Sequence, residues 1–178
     1  AGLHFVPPWH PDLVIGVASY ALELFRGVPD LDTVYVPIGL GSGACGVIAA
    51  RDALGLKTRI VGVVSANANA YELSWNADKV IDKPGRTVAE GLEIASPHPE
   101  AFKWLKRGLE RIVSVTEDEI LDGIRILIKD THMLAEGAGS AALAALLKEK
   151  DRQRGKRVAV VLSGGNADAA LIGRALQG

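Results

Sequence analysis

The sequence lacks several features that would assign it at once to a special class of protein. It has one cysteine, Cys45, among 178 residues, so an internal disulfide is impossible and a reducing cytoplasm suits the chain. Its formal net charge of −1 leaves no excess of basic residues for nucleic acid or a membrane surface. No signal peptide and no apolar run of about 18 residues is present, which predicts no membrane association. We therefore expect small molecules or copies of the chain itself as partners.

The composition that remains is typical of a globular protein. Apolar residues make up 48% of the chain, which also holds 20 glycines and 8 prolines. A chain of this length buries roughly 70% of the surface that its unfolded form exposes. We expect residues 1–178 to form a single domain.

Short β-branched runs alternate with longer amphipathic stretches, a pattern typical of βαβ units around a mainly parallel sheet. Predicted strands cover residues 33–38, 59–65, 111–115 and 157–162. The first and last are nearly continuous apolar runs, which predicts that helices cover both of their faces. The fold class is therefore α/β, a twisted and mainly parallel sheet flanked by helices.

Helices are predicted between these strands, over residues 11–26, 43–54, 67–75, 97–109, 117–130, 139–148 and 167–176. Thr116 and Glu119 have the spacing of a capping box. Residues 79–96 are predicted to be a loop with one short helix, because they contain Pro84, Gly85 and Gly91. The charged run 148–157 is predicted to be a solvated helix end and loop.

A glycine-rich segment follows the first strand: Gly39, Leu40, Gly41, Ser42 and Gly43. Glycines at this position let backbone amides approach an anion at the start of the next helix, which predicts a phosphate cradle. Tight packing of the helix on the sheet is the alternative explanation. The GxGxxG spacing that ends at Gly46 does not indicate a dinucleotide site, because Ser65 ends the next strand without an acidic residue for the ribose.

Two further segments of small residues carry a polar side chain. Ser163 ends the last strand and is followed by Gly164, Gly165 and Asn166, so its hydroxyl is expected at the same edge of the sheet. Glu136 stands alone in an Ala/Gly stretch at the start of a helix. It is either a carboxylate of the binding crevice or a partner of the helix dipole.

Taken together and in this order, the segments PIGLGSG, AEGAG and LSGGN resemble the fold-type II pyridoxal-phosphate enzymes. The resemblance is greatest to the serine/threonine dehydratases (threonine ammonia-lyases), with serine racemase as a near relative. It implies the tryptophan-synthase-β-like large domain and a homo-oligomer. It also implies that Gly39, Leu40, Gly41, Ser42 and Gly43 wrap the cofactor phosphate, that Ser163 bonds the pyridine nitrogen and that Glu136 lies near the ring.

The implied reaction converts L-threonine or L-serine into a 2-oxo acid and ammonia. A racemase or a β-replacement enzyme on the same scaffold stays open as an alternative, as does a non-catalytic piece that keeps only the phosphate cradle. The family's Schiff-base lysine lies in a Ser-Phe-Lys-like segment upstream of these motifs, and none of the nine lysines here has that context. We therefore expect the chain to be the C-terminal part of the larger domain, without the small domain, and inactive by itself.

The resemblance also bears on metal binding. Relatives that bind a divalent ion have acidic residues near the positions of Ser65 and Tyr71. Neither a serine nor a tyrosine suits a hard cation well, so no divalent metal site is predicted.

Overall fold

The structure, a computed structural model, describes residues 2–178. The helices are α1 (Pro11–Gly27), α2 (Ser42–Ala53), α3 (Ala70–Ala77), α4 (Pro99–Gly108), α5 (Glu117–Ile126), α6 (Gly137–Lys148) and α7 (Ala169–Gln177). The strands are β1 (Thr33–Pro37), β2 (Arg59–Ser65), β3 (Arg111–Val115) and β4 (Val158–Val160). A 3-10 turn covers Glu90–Leu92, and one π-helical turn, Leu127–Thr131, follows α5.

The strands form one parallel sheet in the order β3-β2-β1-β4. Because all the strands run the same way, the loops that leave β1 and β4 emerge side by side at one edge of the sheet. We call it the carboxyl edge, and the opposite one the amino edge. The predicted α/β fold class with a parallel sheet is confirmed.

The sheet separates two apolar cores, because successive side chains of a strand point to opposite faces. Val34 and Val36 of β1 belong to a core that also contains residues of α1, α2, α3 and α4. Tyr35, between them, belongs to the second core, with residues of α5 and α6. Cys45 is fully buried in the first core, as expected for a packing residue.

Strand β4 is where the sequence prediction was wrong. The apolar run 157–162 predicted a strand covered on both faces, yet β4 is only three residues long and half-buried throughout. It pairs with β1 alone and is the edge strand of the sheet within residues 2–178. A strand with one neighbour keeps only half of its ladder hydrogen bonds, so the regular pairing ends early.

The predicted capping box is confirmed. Thr116 Oγ1 accepts from the amide of Glu119, and the Glu119 carboxylate accepts from the amide of Thr116. The two bonds satisfy exposed donors at the start of α5.

Candidate active site

A run of free backbone donors follows β1 at the carboxyl edge. We call residues 39–44 the glycine loop. Its amide groups donate no hydrogen bond to any residue in 2–178, and the first paired amide is that of Cys45, which donates to the Gly41 carbonyl at 2.9 Å. Helix α2 also begins without a side-chain cap, whereas Thr116 caps α5 and Asp168 caps α7. Free amides at a helix N-terminus form a site for an anion, phosphate above all.

Glycine is required at two positions of this loop. Gly41 has φ 101°, a left-handed conformation that other residues rarely adopt. A Cβ on Gly39 would lie 2.5 Å from the Gly91 carbonyl oxygen, which is backbone and has no rotamer to change. Leu40 and Ser42 do not have positive φ, so the side chains that replace glycine there cause no backbone strain.

Glu136 lies between the other two motifs. Its amide donates to the Gly164 carbonyl at 3.1 Å. A Cβ on Gly164 would lie 2.6 Å from Glu136 Oε1, and a Cβ on Gly91 would lie 3.7 Å from the same atom. The carboxylate makes no capping bond to α6, although Glu136 is its N-cap residue. The side chain therefore faces Gly91 and Gly164 and is not a cap for its own helix.

The segment around Gly91 connects the glycine loop to Glu136, and the sequence analysis did not predict this role. Gly91 contacts Gly39 on one side and Glu136 on the other. A signal for it was present, because Ala89-Glu90-Gly91 repeats the tripeptide Ala135-Glu136-Gly137. A Cβ on Gly137 would lie 2.7 Å from the Ala89 Cα, so the two segments pack directly against each other.

Glu117 holds the chain that leads into this segment. Its carboxylate accepts hydrogen bonds from Thr87 Oγ1 at 2.6 Å, from the Val88 amide at 2.7 Å and from Ser65 Oγ at 3.2 Å. Three donors on one carboxylate fix its position strongly. Glu117 therefore ties the end of β2 to the loop segment that leads to Gly91, a role that the sequence analysis did not predict.

Ser163 lies at the open end of this arrangement. It is exposed, and its hydroxyl makes no hydrogen bond within the described part of the chain. The next residue, Gly164, contacts Glu136. The three predicted segments thus meet at one edge in a continuous line of contacts, from Gly39 through Gly91 and Glu136 to Gly164.

Neither a thiol nucleophile nor a metal cluster accompanies these residues. Burial raises the pKa of Cys45 to about 12, so its sulfur stays protonated. Over residues 2–178 the structure has no group of three or more His, Cys, Asp or Glu side chains suited to an ion. The three predicted motifs bring to this edge the unpaired amides of the glycine loop, the Glu136 carboxylate and the Ser163 hydroxyl.

Comparison with known proteins identifies the family of this chain. A family model described as "Pyridoxal-phosphate dependent enzyme" matches residues 1–164, and the chain belongs to that family. It is 34% identical over 177 residues to the L-threonine ammonia-lyase of Thermotoga maritima, covering 97% of this chain and 43% of that protein.

Two solved structures extend the comparison. Threonine deaminase isoform 2 from Solanum lycopersicum has the same fold, with a TM-score of 0.92 at 23% identity over 99% of this chain and 52% of that one. Maize serine racemase matches with a TM-score of 0.83 at 26% identity, over 92% of this chain and 51% of that one. The chain thus spans about half the length of these proteins. Within residues 2–178, no helix is both long and apolar enough to cross a bilayer.

Proposed function

We propose that the carboxyl edge binds pyridoxal 5′-phosphate, with the phosphate on the amides of Gly39, Leu40, Gly41, Ser42 and Gly43. The free donors of the glycine loop are the observation that carries this proposal. A dianionic phosphate would satisfy several of them at once and would gain from the positive end of the α2 dipole. The contact of Gly39 with Gly91 explains why side chains are excluded at the base of the cradle.

Ser163 and Glu136 would serve the other end of the cofactor. The free hydroxyl of Ser163 would bond the pyridine nitrogen, and the Glu136 carboxylate would lie near the ring. A serine hydroxyl is neutral and does not hold that nitrogen protonated, in contrast to a carboxylate. The bound cofactor supplies the electron sink for bond breaking at the amino acid, and Ser163 would make that sink a weaker one.

The reaction that this site supports best is the dehydration of L-threonine or L-serine to a 2-oxo acid and ammonia. A weaker electron sink favours prompt loss of a β-hydroxyl, and the Thermotoga relative is named for the threonine reaction. The test is to supply L-threonine and L-serine to the purified gene product that carries this sequence and to measure 2-oxo acid and ammonia. Equal amounts of both products would support the proposal, and unchanged substrate would overturn it.

Amino-acid racemisation is the second candidate, favoured by the similarity to maize serine racemase. Chiral chromatography of the same reaction distinguishes the two. D-serine or D-threonine without 2-oxo acid would identify a racemase.

We further propose that the cofactor-linked lysine is not among the nine lysines of this chain. The chain would then be the C-terminal part of a larger cofactor domain. Five of these lysines already bond groups outside the site: Lys83 with Asn69, Lys103 with Glu100, Lys106 with the Trp75 carbonyl, Lys148 with the Ser114 carbonyl and Lys156 with the Arg152 carbonyl. The chain alone would then bind the cofactor through its phosphate and show no turnover.

Self-association and a cytoplasmic location complete the proposal. Leu3, Phe5 and Val6 are 90%, 79% and 64% exposed, which leaves an apolar segment that a second protein surface can cover. The single buried thiol suits a reducing compartment. Light scattering of the gene product tests the first point, and a purely monomeric species would refute it.

A further inference from the structure

One buried tyrosine lies directly behind the glycine loop. Tyr71, on α3, is 1% exposed. Its hydroxyl donates to the Leu40 carbonyl at 2.9 Å and accepts from the amide of His98, the N-cap residue of α4, at 3.2 Å. Because the hydroxyl oxygen accepts its hydrogen bond from the His98 amide, the hydroxyl proton is donated to the Leu40 carbonyl.

This bond sets the direction of the next amide. In a planar trans peptide the carbonyl and the N–H point to opposite sides. The Leu40 carbonyl points to Tyr71 in the apolar core, so the N–H of Gly41 points away from the core. That N–H is one of the unpaired donors of the glycine loop.

The peptide between Leu40 and Gly41 has few other restraints. It lies before the first turn of α2, and glycine itself allows rotation more freely than other residues. If this peptide turned over, the Gly41 amide would point into the core and be lost to a ligand. We infer that Tyr71 is a positioning residue of the phosphate cradle: its hydroxyl holds the Leu40–Gly41 peptide so that the Gly41 amide faces the anion. The inference rests on the proposed cofactor site.

The hydroxyl can do this over the whole working pH range. Burial raises the pKa of Tyr71 well above its ordinary value, so the donor proton stays in place.

The chain provides a matched control in Tyr20 of α1. Its hydroxyl also donates to a carbonyl of the loop, that of Gly43, at 3.3 Å. Gly43 lies inside α2, where the helix already fixes its peptide direction. The Tyr20 bond is therefore redundant for phosphate binding, whereas the Tyr71 bond is not.

The test is an NMR titration of the chain with inorganic phosphate, repeated for Tyr71→Phe and Tyr20→Phe. We expect the wild-type Gly41 amide to shift on binding, Tyr71→Phe to bind phosphate about tenfold more weakly, and Tyr20→Phe to bind it as the wild type does. Thermal unfolding of each variant checks that it is folded.

The outcomes separate the two claims. No phosphate binding by the wild type would refute the cofactor site itself. Wild-type binding with equal affinity in folded Tyr71→Phe would overturn the positioning role alone. If Tyr71→Phe is unfolded, the wild-type titration decides: a Gly41 amide that does not respond to bound phosphate overturns the inference, and one that responds supports it.

Discussion

The two edges of the same sheet are built in opposite ways. At the amino edge, Tyr35, Arg111 and Glu149 form a closed network. Tyr35 donates to Glu149 at 2.5 Å, Arg111 pairs with the same carboxylate, and Gln153 donates to the Tyr35 hydroxyl at 2.8 Å. At the carboxyl edge, the glycine-loop amides and the Ser163 hydroxyl have no partner within residues 2–178.

The two edges therefore contribute to different properties, the amino edge to folding stability and the carboxyl edge to ligand binding. Buried polar groups that bond one another hold the folded chain together and offer nothing to a ligand. Donors without a partner do not stabilise the free chain, and their interaction energy becomes available when an anion arrives. Changes at the amino edge should therefore alter stability alone, and changes at the carboxyl edge should alter binding.

The largest effect is expected for Gly39→Ala, which should lower both the stability of the fold and the affinity for phosphate. Its Cβ would lie 2.5 Å from the Gly91 backbone oxygen, so one of the two segments must move. We expect a loss of about 2 to 3 kcal/mol in the free energy of unfolding and the loss of phosphate binding. Urea unfolding and phosphate titration measure the two quantities.

Gly43→Ala is the matched stability control. A Cβ on Gly43 would have no atom closer than the Tyr20 hydroxyl at 3.9 Å, and alanine favours the helix. Its free energy of unfolding should not fall. Equal stability of the Gly39 and Gly43 variants would contradict the close packing of the site.

Glu149→Gln should show the opposite behaviour, with lower stability and unchanged phosphate affinity. Removing the charge leaves the Arg111 guanidinium without its main partner in a largely buried place. We expect a loss of about 2 kcal/mol. The control is Glu100→Gln, which breaks an exposed pair with Lys103 and should leave unfolding unchanged.

The amino edge should also make stability depend on pH. Burial alone would raise the pKa of Glu149, but hydrogen bonds from Arg111 and Tyr35 outweigh it and lower the pKa from 4.5. A carboxyl with a lowered folded-state pKa stabilises the chain above its unfolded-state value, and that contribution is lost as the pH falls through the folded-state value. Urea unfolding between pH 5 and pH 3 should lose stability more steeply in the wild type than in Glu149→Gln. Parallel curves would argue against the network.

Ser163→Ala should have the smallest effect on stability. The side chain is exposed and unbonded, so the unfolding free energy should stay within about 0.5 kcal/mol of the wild type. The kcat of the gene product on L-threonine should nevertheless fall, because the proposed bond to the ring nitrogen is lost. An unchanged kcat would refute that role.

Local sequence patterns predicted the strands β2 and β3 to the residue and every helix to within a few residues. Continuous β-branched runs and a capping box are local signals, so no tertiary information was needed. The prediction that was wrong concerns a feature that tertiary packing determines. The run 157–162 was apolar enough for a central strand, but only its neighbours determine that β4 lies at an edge.

Local patterns also failed to predict which polar residues are buried and bonded. Glu149 and Gln153 stand in a run that predicted a solvated helix end, yet Gln153 is 7% exposed and bonds Tyr35. Tyr35, the partner that they share, is more than a hundred residues away along the chain, which no local pattern reveals. The site segments were predictable because glycines after a strand mark a close approach of backbone, whereas Gly91 and Glu117 act through long-range contacts.

A crystal structure of the gene product grown with pyridoxal 5′-phosphate would examine the whole arrangement in one measurement. We predict phosphate oxygens within hydrogen-bonding distance of the glycine-loop amides and the ring nitrogen within hydrogen-bonding distance of Ser163 Oγ. A cofactor bound elsewhere, or one whose ring nitrogen faces away from Ser163, would contradict the account.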